Sequence, residues 1–481
     1  MTSNGHERWG MGSPEARHSL LTTTSKLTTR RVAEGAGRKD LLSTIKQTAP
    51  ARLYLNTLRR FALFKSLDIF LWQWGGARLL ILIHKKIALR MSLRRYPYGT
   101  RLTALAENPD TSSRLRTKIL EQETVSVARP VIYPVERAYQ LPPFLFENRF
   151  PPVNVNKITN AWVYGGSNLT FTREKVFCHD LYNFTVDYTS EELHGRHLYQ
   201  KRTGSLFVIL RDPNPDHLPS AAACLDACAH NYAHFLTEVL PRIALFCSLH
   251  QYSDIPLIID DQLHENILEA VACVVGPSRT VYLLPLGRAI KCDTLYIISA
   301  TGYVPFDQRN KRLENLRQGQ FSSTALQTLR SIITTNHAQT DAVVSMPEKI
   351  YVQRNSSVRK LINASQVEEI LCHHGFALID PGKLSFHEQV DLFSHAKIVI
   401  GPTGAAMANA IFCQPGTDVG ILMSMHKHMI YKYWSAMLSP LNIHVSYLLG
   451  TIVANQSRGI HGDYRVDETI LTHFLNESEN R

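Results

Sequence analysis

Short β-branched runs alternate with helical patterns along the second half of this chain, and no other feature restricts its fold as much. The runs KIYVQR (349–354), FALID (376–380), KIVIG (397–401), DVGILM (418–423) and HVSYLL (444–449) are separated by helical patterns at 364–374, 385–394, 405–413 and near 428–437. The same alternation stands upstream. There LFVIL (206–210), IPLIID (255–260), TVYLLP (280–285) and DTLYIIS (293–299) read as strands, with helical patterns at 225–250, 262–275 and about 308–337. A short, continuous apolar run marks a strand buried on both faces, and a helical crossover makes its neighbours parallel. The expectation is an α/β protein of two such units, joined by the polar segment HAQTDAVVSMPE (337–348), with a cleft between them. Ligands of such sheets bind beyond the carboxyl ends of the strands.

One of those strand ends carries a loop with chemistry of its own. The run 397–400 breaks at Gly401-Pro402-Thr403-Gly404, and a helix of small residues follows at once from Ala405 through Asn409 and Ala410. A tight turn feeding a helix without bulky side chains presents backbone N–H groups, and the helix N-terminus favours negative charge, so phosphate is the natural guest. The third glycine of the dinucleotide fingerprint is missing, and no Gly-Lys-Ser/Thr follows.

A second constellation lies some 170 residues upstream, AHNYAHFLTEVLPR (229–242). On a helix His230 and His234, and likewise His234 and Glu238, share one face. An imidazole with a carboxylate one turn away is a general base with its orienter, or the carboxylate is itself the base. The plainer alternative is the polar face of a half-buried helix, with Glu238 pairing with Arg242.

The formal charge of +11 is concentrated at one end. Residues 1–101 hold 19 Lys/Arg against 5 Asp/Glu, and the remainder 33 against 36. Residues 1–50, rich in Ser, Thr, Gly and Arg, read as a disordered basic tail. Residues 51–128 read as a basic amphipathic helical arm. Within it, 53–95 interleaves Leu, Ile, Phe and Trp with Arg and Lys. Its longest charge-free run, Ile69 to Ala77, is far short of the roughly 20 residues that span a bilayer. Such a segment suits a helix lying on an anionic membrane surface, or a helical hairpin packed on the body. No recognition module supports nucleic-acid binding.

The eight cysteines form no CxxC pair, and no secretory signal opens the sequence, so a reducing cytoplasm is expected. The six Asn-x-Ser/Thr sequons, at Asn168, Asn183, Asn355, Asn363, Asn455 and Asn476, would matter only in a secreted chain. Cys372-His373-His374, His426-Lys427-His428 and the Pro-rich Asp212–Asp216 loop lack the spacing of a metal site. No cofactor is expected.

Taken together, HNYAHFLTEVLPR (230–242), YVQRNSSVRKLIN (351–363) and LSFHEQVDLFSHAKIVIGPTGAAMANAIFCQPGT (384–417) resemble glycosyltransferase family 61. That group contains plant arabinosyl- and xylosyltransferases, animal O-linked N-acetylglucosaminyltransferases and bacterial capsule or exopolysaccharide enzymes. The resemblance covers roughly residues 200–425. It implies a GT-B fold, two Rossmann-like domains facing a cleft. Residues 129–340 would form the acceptor domain and 341–481 the nucleotide-sugar domain. It further implies inverting transfer from a nucleotide sugar, most simply a UDP-sugar, to a glycan or lipid-linked acceptor, without a metal. Cell-surface polysaccharide synthesis at the inner face of the cytoplasmic membrane is the setting. On this resemblance His234 and Glu238 would be catalytic. Arg354, Arg359, Glu388, Gly401, Thr403, Gly404, Ala405 and Asn409 would bind the donor, and His230, Asn231, Tyr232 and Arg242 would face the acceptor. Two positions depart from the family pattern: Thr403 replaces the usual His of the Gly-Pro-His-Gly-Ala turn, and Ile421 stands where Glu is common. A binding protein without catalysis, or a membrane-bound scaffold of a polysaccharide assembly complex, are the competing expectations.

Overall fold

The computed structural model describes residues 116–136 and 146–481 apart from short stretches, together with two strands at Thr29–Arg31 and Arg101–Ala104. The omitted stretches are 174, 185, 195–196, 201–204, 209–211, 213, 306, 309–318, 337–345, 357–358, 427–430 and 454–461. The amphipathic segment 53–95 and most of the linker 337–348 lie outside the described residues.

Two parallel sheets organise the described chain. In the first, Asp216–Ala223, Leu257–Asp260, Val281–Leu284 and Ala289–Ile298 run parallel in the spatial order third, second, first, fourth. That is half of a doubly wound fold, and the order reverses between Asp216–Ala223 and Ala289–Ile298. Leu257–Asp260 and Val281–Leu284 are apolar runs, the former buried throughout. Asp216–Ala223 (DHLPSAAA) is not one and stands outside the expected strands, whereas the run expected at 206–210 gives Ser205–Val208, which pairs antiparallel with His197–Gln200. The sheet is not purely parallel, as the sequence reading had it. Val153–Tyr164 pairs antiparallel with Ala289–Ile298 and carries the sheet on into a meander.

In the second sheet Lys349–Val352, Ala377–Ile379, Ile398–Pro402, Asp418–Ser424 and His444–Ile452 are parallel in the order second, first, third, fourth, fifth. Here the order reverses between Lys349–Val352 and Ile398–Pro402. Ile398–Pro402 and Asp418–Ser424 are buried at every residue, which explains their unbroken apolar character. Val131–Tyr133 adds a further parallel strand beside His444–Ile452, so this stretch belongs to the second sheet although it lies within residues 129–340.

Helices fill the space between. Leu240–Cys247, Glu265–Val275 and Ser323–Asn336 pack on one another, and Glu265–Val275 also meets Phe386–His395 of the second unit. One apolar cluster runs through both units. It includes Phe246, Ile259 and Val271 from the first and Val352, Phe386, Met407 and Phe412 from the second.

Several expectations are corrected. The described residues between 101 and 128 are not helical: Arg101–Ala104, Arg116–Leu120 and Glu123–Ser126 are strands, and Arg116–Leu120 pairs with Val153–Tyr164. Thr29–Arg31, within the stretch read as disordered, pairs parallel with Val281–Leu284. The helical pattern at 225–250 begins only at Tyr232, and among the described residues that at 308–337 is the helix Ser323–Asn336. The helix after Gly404 is a 3-10 helix, Ala405–Phe412.

Candidate functional site

Both order reversals open onto cavities, as the strand-end rule demands. Beyond the first sheet, residues 224–231 leave Asp216–Ala223 and residues 299–305 leave Ala289–Ile298. Between them lies a small cavity of about 20 Å³ lined among others by Asp226, His234, Glu238, Arg242 and Gly302. Beyond the second sheet, a cavity of about 240 Å³ is lined by Arg354, Ser356, Arg359, Glu368 and Pro402 among others.

In the first cavity the local sequence shapes the His234–Glu238 pair. Asn231 caps the helix by accepting from Ala233 N at 3.0 Å. Pro241 has no N–H to give to Thr237, so the α-ladder opens, and Phe235–Val239 form a π-turn closed by Leu240 N on Phe235 O. Gly302 lies against this turn: a Cβ there would come 2.8 Å from Thr237 O and 3.2 Å from Glu238 Cγ. His234 Nδ1 and Glu238 Oε1 are 2.5 Å apart, with only 16% and 9% of their side chains exposed. Glu238 Oε2 also accepts from Val304 N at 3.3 Å. A carboxylate can only accept, so Nδ1 carries the proton and Nε2 becomes the basic nitrogen. Burial pulls the His234 pKa down, but the Glu238 charge and hydrogen bond, with Asp226 further off, outweigh it and leave it raised above 6.5.

The anticipated Glu238–Arg242 ion pair does not form. Arg242 turns to main-chain carbonyls, with Nε on Glu238 O at 2.9 Å and a terminal nitrogen on Leu225 O at 3.3 Å. His230 is exposed and, unlike Arg242, does not line the cavity. Tyr232 donates to Asn409 Oδ1 at 2.6 Å instead of facing a ligand.

At the second cavity, Arg354 donates to the Thr403 carbonyl and, at 3.4 Å, to Ser356 Oγ. Gly401 is forced: a Cβ would sit 2.6 Å from Met407 Sδ and 2.9 Å from Val352 Cβ. A Cβ on Gly404 would come 3.3 Å from Arg354 Cδ. Arg359 holds a left-handed backbone at φ 57°, a strained state that clusters at functional sites. Its Nε is buried and has no hydrogen-bond partner among the described residues. Burial lowers the pKa of both guanidinium groups, and the Arg359 charge lowers that of Arg354 further. Two half-buried cations of like sign therefore face each other in one cavity.

Three expected donor residues serve the scaffold instead. Glu388 closes a capping box: its Oε2 accepts from Ser385 N at 2.7 Å and Ser385 Oγ at 2.9 Å. Asn409 is fully buried between Tyr232 and Gln389 Oε1, the latter at 2.5 Å. Thr403 Oγ1 accepts from Trp434 Nε1 at 3.2 Å, and its N–H reaches Leu422 O at 2.8 Å. Ala405 opens the 3-10 helix behind the turn.

Sequence reasoning missed Asp226, His179, Tyr303 and Trp434. Asp226 stands just beyond the end of a strand, and the strand-end rule could have found it. Trp434 carries no local signal, because its partner lies 31 residues away. The neighbouring Tyr433 phenol is pushed up by burial and then by the Glu238 charge.

No curated protein matches the chain. Among solved structures, the bacterial iron-containing dodecameric glycosyltransferase TibC from enterotoxigenic E. coli H10407 is 12% identical, covering 59% of this chain and 79% of that one. Its TM-score of 0.27 is too low to carry an argument. The family model Glycosyltransferase 61 matches residues 232–420, from Tyr232 beside the base through the Arg354 cavity to the strand after the Thr403 turn. Over that stretch the chain is similar to glycosyltransferase family 61.

Proposed function

We propose that this chain is an inverting, GT-B type glycosyltransferase that moves a sugar from a nucleoside diphosphate donor to a glycan or lipid-linked acceptor. The observation that carries the reading is the meeting of Arg354 and Arg359 in one cavity at a strand-order reversal, with a buried Arg359 Nε awaiting an acceptor. A guanidinium forks onto phosphate oxygens, and two of them balance a leaving diphosphate without a metal cation.

In this mechanism the acceptor hydroxyl gives its proton to the His234–Glu238 pair. Its oxygen forms the new bond at the anomeric carbon as the bond to the diphosphate breaks. The departing electron pair goes to a phosphate oxygen, where Arg354 and Arg359 stabilise the growing charge. Residues 129–340 would serve the acceptor and 341–481 the donor, with Val131–Tyr133 lent to the second sheet. Segment 53–95 would hold the enzyme against an anionic membrane, in keeping with polysaccharide synthesis.

The test is a screen of the purified chain against UDP-, GDP- and CMP-sugars for nucleotide release, with and without EDTA. Release from one class, undiminished by EDTA, is expected. No release from any donor would overturn the reading, and loss with EDTA restored by Mn²⁺ would overturn its metal-free form.

A further inference from the structure

The cavity that holds Arg354 and Arg359 has a second end, built from a strand and the helix that follows it. Tyr351, in Lys349–Val352, and Gln353, just past it, are two residues apart in extended chain and so project from one face. On that face Tyr351 packs with Val367 and Leu371 of the helix Ala364–His373. Ala364 and Glu368 are one turn apart on this helix and line the cavity together with Tyr351 and Gln353. Gln353 Nε2 donates to Glu368 Oε1 at 2.9 Å and so fixes the carboxylate, whose other oxygen accepts from none of the described residues. Tyr351 is 1% exposed, yet its hydroxyl makes no hydrogen bond to any described residue. Burial, and then the Glu368 charge, push this phenol up, so it stays an O–H at neutral pH.

We infer, on the donor-site reading above, that Glu368, held by Gln353 and joined by Tyr351, reads two neighbouring hydroxyl groups of the ligand whose phosphates the arginines hold. The chain therefore takes ribonucleoside diphosphate donors and rejects 2′-deoxy ones, thymidine diphosphate sugars among them. Charge divides the cavity. Arg354, Arg359 and Lys360 set three cations against the single carboxylate of Glu368 among the described lining residues, so an anion enters at the arginine end. A carboxylate can only accept, and a phosphate beside it would meet like charge. What suits Glu368 is an uncharged O–H close to a phosphate, and a vicinal diol offers it two. The Tyr351 hydroxyl, free to donate or accept, completes the pairing of such a diol. Ala364 carries nothing beyond Cβ and leaves room beside Glu368. Size agrees with this division. At about 240 Å³ the cavity falls below the roughly 300 Å³ at which ligand sites begin, so it encloses part of a nucleotide sugar, the phosphates with the ribose next to them.

The experiment measures binding to the full chain by calorimetry, with UDP, GDP and CDP each paired with its 2′-deoxy counterpart. The ribonucleotide that binds most tightly should exceed its 2′-deoxy form by more than about tenfold, because a site built to bond a hydroxyl rejects the analogue that lacks it. Glu368→Gln should shrink that ratio toward one, chiefly by weakening the ribonucleotide. Tyr351→Phe, which keeps the buried ring, should shrink it in part, and it serves should Glu368→Gln not fold. Arg354→Ala should weaken both members of a pair alike and leave the ratio as it stands, the pattern that a merely structural Glu368 would also give. Equal affinity for paired nucleotides in the wild type, or an unaltered ratio in a folded variant at Glu368 or Tyr351, would overturn the inference while the diphosphate site stands. No binding of any nucleoside diphosphate, with no nucleotide release from any donor, is the separate outcome that removes the glycosyltransferase reading, and this inference with it.

Discussion

The Tyr232 hydroxyl donates to Asn409 Oδ1 across 2.6 Å and 177 residues of sequence, joining the first turn of the base helix to the helix behind the Thr403 turn. Asn409 in turn donates to Gln389, whose amide reaches Pro381 O at 3.1 Å and Leu384 O at 3.2 Å. Asn266 of the first unit also donates to Leu384 O, at 3.0 Å, and Glu269 accepts from Phe386 N at 2.7 Å. A polar chain thus holds the base helix in fixed relation to the phosphate turn.

Breaking that chain should register in stability first. Tyr232→Phe keeps the ring and removes the donor, leaving the buried Asn409 Oδ1 without its hydroxyl. An orphaned buried acceptor costs about 1–3 kcal/mol. Denaturant unfolding of Tyr232→Phe, Asn409→Ala and the double variant should show a coupling of about 0.5–3 kcal/mol. Additive effects would mean that the two side chains do not communicate.

The donor side calls for a different signature. Arg354→Ala removes a cation aimed at the leaving diphosphate, and losing one such donor typically lowers kcat by about 10²–10³. The guanidinium is only half-buried, so the thermal midpoint should move little. A folded Arg354→Ala protein with near wild-type turnover would place the diphosphate elsewhere.

These two sites differ in how far the sequence disclosed them. The alternation of strands and helices was legible because buried parallel strands must be apolar throughout, and the base pair was legible because its partners are one helical turn apart. Glu388 and Asn409 lie in the right motif, yet their side chains are engaged by a cap and by a residue 177 positions away. Residues 101–128 misled for a related reason. Their strand character comes from pairing with distant partners, such as Arg116 with Asn156, and not from local periodicity. The π-turn follows from Pro241, but its place beside Gly302 does not.

The raised His234 pKa gives pH predictions of opposite sign for rate and stability. As a base, His234 must be neutral, so kcat/KM should rise with pH through a midpoint above 6.5. As a stabilising ion pair with Glu238, its contribution is complete below the unfolded-state value and is lost as pH climbs through the folded one. Glu238→Gln removes the charge that raises this pKa and leaves the burial that lowers it. The rate midpoint should therefore move to lower pH in that variant, while nucleotide binding persists. An unmoved midpoint would transfer the titration to another group.

Gly401 tests the fit of the phosphate turn. Gly401→Ala introduces a methyl group 2.6 Å from Met407 Sδ and 2.9 Å from Val352 Cβ. Overpacking of this kind costs about 1–3 kcal/mol. The Met407 side chain is flexible and Val352 Cβ is not, so adding Met407→Ala should recover only part of the loss. Full recovery in unfolding measurements would show that the strand Lys349–Val352 yields more easily than its burial implies.

The boundary of the folded body is the last point that truncation can settle. A chain starting at Arg129 removes Arg116–Leu120 from the edge of Val153–Tyr164 and uncovers its buried residues. It also removes Val125 and Val127 from the core, each of which contributes about 1.5–3 kcal/mol when fully buried. Glu123 goes as well. Its carboxylate accepts from the hydroxyls of Ser322, Ser323 and Thr324 and from Thr324 N at 3.3 Å, closing the start of the helix Ser323–Asn336. That helix packs on Leu240–Cys247 directly behind the base. The Arg129 truncation should therefore melt well below the full chain and lose transfer. A chain starting at residue 96 retains every one of these contacts and gives up from the described body only the three-residue edge strand Thr29–Arg31 beside Val281–Leu284, so it should melt close to the full chain. If segment 53–95 is a membrane anchor, this shorter chain should differ in one respect, losing salt-sensitive association with anionic vesicles while keeping nucleotide release. Melting as early as that of the Arg129 truncation, and no later in a chain that lacks only 53–95, would instead place the apolar residues of 53–95 in the core.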